Sequence, residues 1–244
     1  MTLTTEPMHA RQRPPDRLAR LFDGGWPEFI HHDAETDRYL GRVRELFRDL
    51  ELVVLDDDVP VAAGWAVPLR WDGTVGDLPA GYTDSLARAL RVHDAGEPGD
   101  TLAMLAVQVR SDVRGRGLAG AALTALRDLA GPTGCARVIC PVRPTLKARY
   151  PLTPIDRFAT WTRPDGEPLD PWIRTHTRLG ARILAPAPRS QVITGTVAEW
   201  ETWTGMVFPD TGDYVIPDGL TTLRVDVAAD TGVYVEPNVW LRHL

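Results

Sequence analysis

Six consecutive residues, Arg114, Gly115, Arg116, Gly117, Leu118 and Ala119, carry the plainest chemistry in the chain. Glycines let a backbone close tightly on a ligand and turn successive N–H groups toward one point. The two arginines add positive charge. From residue 117 the chain reads GLAGAALTALRDLAG, with Leu118, Ala121, Ala122, Ala125, Leu126 and Leu129 stepping by three and four. That spacing predicts a helix opening at the turn. The first N–H groups of a helix lack internal partners, and its dipole is positive at that end. Such a turn binds a phosphate or pyrophosphate. It is not the GxxxxGK[ST] loop of P-loop NTPases, nor a GxGxxG dinucleotide fingerprint after the first strand.

The composition narrows the rest. Lys+Arg is 27 and Asp+Glu is 33 in 244 residues, a net charge of −6. That balance argues against nucleic acid and against an anionic membrane surface as partners. Cys135 and Cys140 are the only cysteines, and the histidines are scattered without an HExxH pair. Neither a disulfide framework nor a metal is expected. No apolar run reaches the roughly 18–20 residues of a membrane helix, and the first residues hold no apolar signal core, so a cytoplasmic protein is expected. Lys147 is the only lysine, the other basic residues being arginine, a mark of GC-rich coding.

The elements that must hold the loop follow from periodicity. Residues 1–15 read as a flexible arm. Helices are predicted over 16–22 and 34–49, then strands over 52–55 and 59–71, the second bent at Gly64 and Pro68. Residues 72–100 form an insertion, a loop followed by a short amphipathic helix. TLAMLAVQV, at 101–109, is a near-continuous apolar run that suits a buried central strand. After the loop and its helix comes a strand at 136–142, then an insertion over 143–171 rich in Pro, Arg and aromatics. A helix runs from Pro171 to Gly180. Strands follow at 181–184 and 190–197. Residues 198–244 alternate turns with short strands, and read as a β-rich extension packed on the domain spanning 16–197.

The loop, the strand leading into it and this order of elements together resemble the GNAT superfamily of acyl-CoA-dependent N-acyltransferases. The family's [Q/R]-x-x-G-x-[G/A] signature is matched at 114–119, and Leu179-Gly180-Ala181 stands where members carry a Leu-Gly-Phe turn. The resemblance implies an α/β (α+β) fold, with a mixed central sheet, a splayed strand pair and flanking helices. It implies acetyl-CoA or another acyl-CoA as co-substrate and a small-molecule amine as acceptor; a homodimer is compatible with it. Residues 114–119 would hold the pyrophosphate, and the backbone at Val107 and Val109 would pair with pantetheine. Pro141, inside ARVICPV, gives a physical reason for a splay, because proline cannot donate to a ladder.

The leaving thiolate needs a proton. Members often supply it from a Tyr four residues before the Gly of the Leu-Gly turn; here that position is His176. His176 is the expected general acid, with Tyr150 as its rival. Many members carry a Glu base on the signature strand, where this chain offers only Gln108. Asp112 is expected to orient Arg114 or cap the helix, which leaves Asp156, Glu236, a water-relayed base or no base at all. Arg143 and Lys147, with Asp156 and Trp161, are expected to wall the acceptor site, the cations holding an anionic group of the acceptor. Two alternatives stay open: a CoA-binding module without transfer, and a hydrolase or decarboxylase of the thioester.

Overall fold

The computed structural model describes residues 3–243. In chain order the elements are β1 (Leu3–Pro7), α1 (Pro15–Phe22), α2 (Ala34–Leu46), β2 (Glu51–Asp56), β3 (Val59–Leu69), α3 (Tyr82–Asp94), β4 (Thr101–Val109), α4 (Leu118–Asp128) and β5 (Arg137–Val142). They continue with α5 (Ile155–Ala159), α6 (Pro171–Arg178), β6 (Arg182–Gly195), α7 (Val197–Thr204), β7 (Gly212–Val215), β8 (Thr222–Asp226) and β9 (Thr231–Arg242). The strands form one mixed sheet in the order β1-β2-β3-β4-β5-β9-β8-β7, with β6 also paired to β9.

The sheet parts at its centre. β4 and β5 are the parallel pair, and their register runs only from Thr101 opposite Arg137 to Ala103 opposite Ile139. Beyond that point the edge of β4 facing β5 has no strand partner among the described residues. A bulge marks the same place: Trp65 lies opposite Ala106 and Ala66 opposite Met104, so Leu105 is the extra residue. Pro141 pairs with Trp240 of β9, past the point where β4 and β5 separate.

Strand alternation sorts the core into two layers. Leu102 and Met104 pack with Leu123, Leu126, Val138, Ile173 and Leu241, on the face covered by α4 and α6. Ala103 and Leu105 pack with Val43, Leu86, Leu90, Ile139 and Trp240, on the face covered by α2 and α3. A third cluster, including Phe29, Trp200, Phe208 and Tyr234, fastens the C-terminal strands to the turn Glu28–His32.

Three expectations are corrected here. The N-terminal arm contributes an edge strand, with Leu3 opposite Asp56 and Pro7 opposite Leu52. Residues 198–244 are not an extension laid on a finished domain. β9 is inserted between β5 and β6, with Ile139 opposite Arg242 and Gly195 opposite Gly232. Strand partners this distant in sequence leave no local signal. The two strands expected over 181–197 are one, β6, with register breaks at Ile183/Ala185 and Ala187/Gln191. Helix α7 follows it, and its capping box of Thr196 and Glu199 was a readable start signal.

Candidate active site

A cavity of about 450 Å³ opens where β4 and β5 part. Its wall toward α4 and α6 is apolar: Met104, Val107, Leu123, Cys140, Val142 and Trp172. Its wall toward α2 and α3 mixes Leu40, Trp65 and Leu105 with the polar side chains of Thr36, Asp37, Arg44, Glu51, Tyr82, Gln191 and Asn238. The cavity thus passes through the sheet from an oily side to a hydrogen-bonding side.

The glycine loop lies between β4 and α4. Gly115 and Gly117 have φ of 82° and 79°, the left-handed region that a side chain strains to adopt. Gly117 is the N-cap of α4 and no side chain caps it. The first N–H groups of α4 therefore face outward for an anion. Arg114 reaches back to the Gly24 carbonyl at 3.4 Å, and Arg116 lies 3.6 Å from Asp56. Asp112 neither orients Arg114 nor caps the helix. The turn Ser111–Val113 folds it onto Arg110 Nε at 2.6 Å instead. Acyl-CoA fits these features: an uncapped helix start for its diphosphate, an unpaired strand edge for the amides of pantetheine, and an apolar wall for the thioester.

The expected catalytic and acceptor residues mostly lie elsewhere. Val107 and Arg143 line the cavity. His176 does not, and it is fully buried. Its Nδ1 is 2.8 Å from His243 Nε2, and its ring meets Trp172 edge-on at 4.5 Å. Burial, with His243 beside it, pulls its pKa down to about 3, so the ring is neutral near pH 7 and holds no imidazolium proton to give. Tyr150 is 39% exposed and packs against Trp161 and Phe158, away from the cavity wall.

Lys147 was expected to hold an anion. It is buried instead, its ammonium donating to the carbonyls of Tyr150, at 2.8 Å, and Leu220. Burial lowers its pKa to about 8 against the pull of Glu236. The lone lysine therefore fastens the 143–171 insertion to the C-terminal segment. Asp156 lines a separate depression beside Lys147, and Trp161 sits in the Tyr150–Phe158 aromatic cluster. Glu236 is fully buried between Arg143 Nε, at 2.5 Å, and the Tyr234 hydroxyl; burial raises its pKa. With both oxygens held, it is a structural carboxylate and not a base toward the cavity.

The polar wall was missed because its parts are far apart in the chain. Asp33 caps α2 through Glu35 and Thr36 N–H at 3.1 and 3.2 Å. Its other oxygen accepts from Thr83 Oγ1 at 2.8 Å and Gln191 Nε2 at 3.3 Å. One buried carboxylate thereby ties α2, α3 and β6 together behind the cavity. Burial raises the Tyr82 pKa, which keeps its phenol protonated. The only local sign was the Asp-x-x-Thr cap at 33–36.

No family model matches the chain. The loading GNATL domain of CurA from Lyngbya majuscula shares its fold, at a TM-score of 0.62 and 14% identity, covering 100% of this chain and 98% of that one. The GphF GNAT-like decarboxylase in complex with isobutyryl-CoA superposes at a TM-score of 0.55 with 18% identity, covering 100% and 98%. The arginine N-acetyltransferase avaD of Aspergillus versicolor is 30% identical over 264 aligned positions, covering 94% of this chain and 90% of that protein. The chain belongs to the GNAT superfamily. It is an acyl-CoA-dependent N-acetyltransferase that transfers an acyl group to an amine. No helix among the described residues of this GNAT enzyme is long and apolar enough to cross a membrane.

Proposed function

We propose that this GNAT enzyme transfers an acetyl group from acetyl-CoA to a nitrogen of arginine or a close cationic analogue. The observation that carries the reading is the divided cavity: carboxylates and amides face the acceptor side, and an apolar wall faces the thioester side. The named activity of the 30% identical fungal relative supports it.

The chemistry asks three things of the protein. The acceptor nitrogen must shed a proton before its lone pair attacks. Its bond to carbon forms as the carbon–sulfur bond breaks, and CoA leaves as a thiolate that takes up the extra proton of the newly acylated nitrogen. The oxygen that gains charge meanwhile needs a donor. Glu51 is our base: it is half-buried on the cavity wall, its strand position opposite Trp65, with Arg44 at 3.8 Å. Tyr82 is our neutral O–H donor. Arg44, held only at that distance by Glu51, supplies a cation for the acceptor's carboxylate. Residues 114–119 bind the pyrophosphate, and the free edge of β4 at Val107 and Val109 pairs with pantetheine.

The test is thiol release from acetyl-CoA with a panel of arginine, agmatine, ornithine and uncharged amines, with product mass read in parallel. Arginine or a close guanidine should give the highest kcat/KM and gain one acetyl group. Turnover confined to uncharged amines would overturn the reading.

A further inference from the structure

Asn238 is 4% exposed, lies on the cavity wall, and has an amide oxygen without a hydrogen-bond partner among the described residues. Its Nδ2 donates to the Pro141 carbonyl at 3.0 Å. That bond fixes which way the amide points, because the opposite orientation would set two oxygens face to face. The acceptor Oδ1 is therefore the orphan. A buried polar atom without a partner costs on the order of 1–3 kcal/mol, so a ligand that supplies an N–H gains at that spot.

Gln191 repeats the arrangement. It lines the same cavity, and its Nε2 is held by Asp33, so it too offers an oxygen. In the sheet Gln191 stands opposite Glu236, and Glu236 and Asn238 are two residues apart on β9. Alternation puts the two amides on one face, the face of α2 and α3. Nearby, Arg143 donates from Nε to Glu236 and from Nη2 to the Asp218 carbonyl, so its charge is paired with the Glu236 carboxylate. What the two amides present to a ligand is a pair of acceptors.

We propose that Asn238, with Gln191, is the specificity-determining pair that receives the N–H groups of a guanidinium-class cation in the acceptor. A guanidinium has five N–H donors in a fixed plane and no acceptor, which complements such a wall. The proposal rests on the arginine reading for the class of substrate, but it concerns binding and not transfer.

The experiment is calorimetric titration of the CoA-saturated protein with arginine and with citrulline, whose neutral urea carries an oxygen where arginine has nitrogen. Wild type should bind arginine at least about tenfold more tightly than citrulline. Asn238→Leu should weaken arginine at least about tenfold, leave CoA affinity unchanged, and erase the preference over citrulline. Asn238→Gln, which keeps both an amide donor for the Pro141 carbonyl and an acceptor, should bind arginine more tightly than Asn238→Leu and keep the preference over citrulline. Gln191→Met should weaken arginine in the same direction. Arginine binding by Asn238→Leu equal to wild type would overturn the proposal. So would equal losses in the Leu and Gln variants of Asn238, and so would a wild type that binds no arginine. Should Asn238→Leu lose its CoA thermal shift and hence its fold, Asn238→Gln and Gln191→Met decide alone. Turnover keeps the two readings apart: a wild type that binds arginine with this mutational pattern but does not acetylate it supports the pair and ends the arginine reading.

Discussion

The two halves of the proposed site are made of different material. Toward α4, the groups we assign to acyl-CoA come from the backbone: a helix start, two left-handed glycines and a strand edge freed by the parting of β4 and β5. These lie within one stretch, 101–128. Toward α2 and α3, they come from side chains on α2, β2, α3, β6 and β9, gathered from residues 36 to 238. Backbone groups suit the part of the substrate that does not vary, because a helix start offers its N–H groups whatever its side chains are. Side chains suit the acceptor, because each can change without rebuilding the sheet. If the assignment holds, cofactor binding and acceptor choice are separable, and single substitutions should move one without the other.

The largest effect should come from the polar wall. Glu51→Gln is expected to lower kcat by about 10²–10⁴-fold with KM for acetyl-CoA little changed, as for a lost general base. Steady-state rates check this, and a kcat within about twofold of wild type would return Glu51 to a structural role. In the glycine turn, Gly117→Val forces a β-branched residue to φ near 79°. CoA should then bind about 100-fold more weakly, a loss of about 2.7 kcal/mol, while the protein stays folded. A CoA-induced rise in Tm equal to that of wild type would remove the loop from the site.

Two further substitutions probe residues that belong to neither wall. Lys147→Met leaves the Tyr150 and Leu220 carbonyls without their donor. Denaturant unfolding should show a loss of about 2–3 kcal/mol, with KM for the acceptor unchanged. A raised KM at full stability would put Lys147 back in the acceptor site. His176 should show itself in pH dependence. Its folded pKa of about 3 lies below the ordinary 6.5, so the unfolded chain binds more protons between those values. The contribution is complete above about pH 6.5 and is lost as pH falls toward the folded value; linkage gives about 2 kcal/mol between pH 7 and pH 5. His176→Phe should flatten that slope and change kcat at pH 7.5 by less than about threefold. A tenfold fall in kcat with the slope intact would restore the catalytic assignment.

The stretch from β4 to α4 was legible residue by residue: an apolar run, a glycine pair, then a helical step of three and four. Helix α6 was equally plain from Pro171, and Asp170 caps it through Trp172 and Ile173 N–H at 2.9 and 3.0 Å. His176 and Lys147 depart from their expected roles for a shared reason. Their residue types promise chemistry, but burial decides what they do, and burial depends on β9 and on the 143–171 insertion closing over them. Tyr82 and Glu51 are the converse case, since nothing beside them in the chain marks them.

The sequence by itself determined the family, the glycine turn at a helix start and the apolar strand beside it, because helix starts, left-handed glycines and strand alternation are set by residues within a few positions of each other. Tertiary structure alone decided that the last strand, β9, completes the middle of the sheet, and that Asp37, Glu51, Tyr82, Gln191 and Asn238 share one wall. Those placements are set by long-range pairing and by which polar atoms are left without partners when the core closes. No local pattern encodes either.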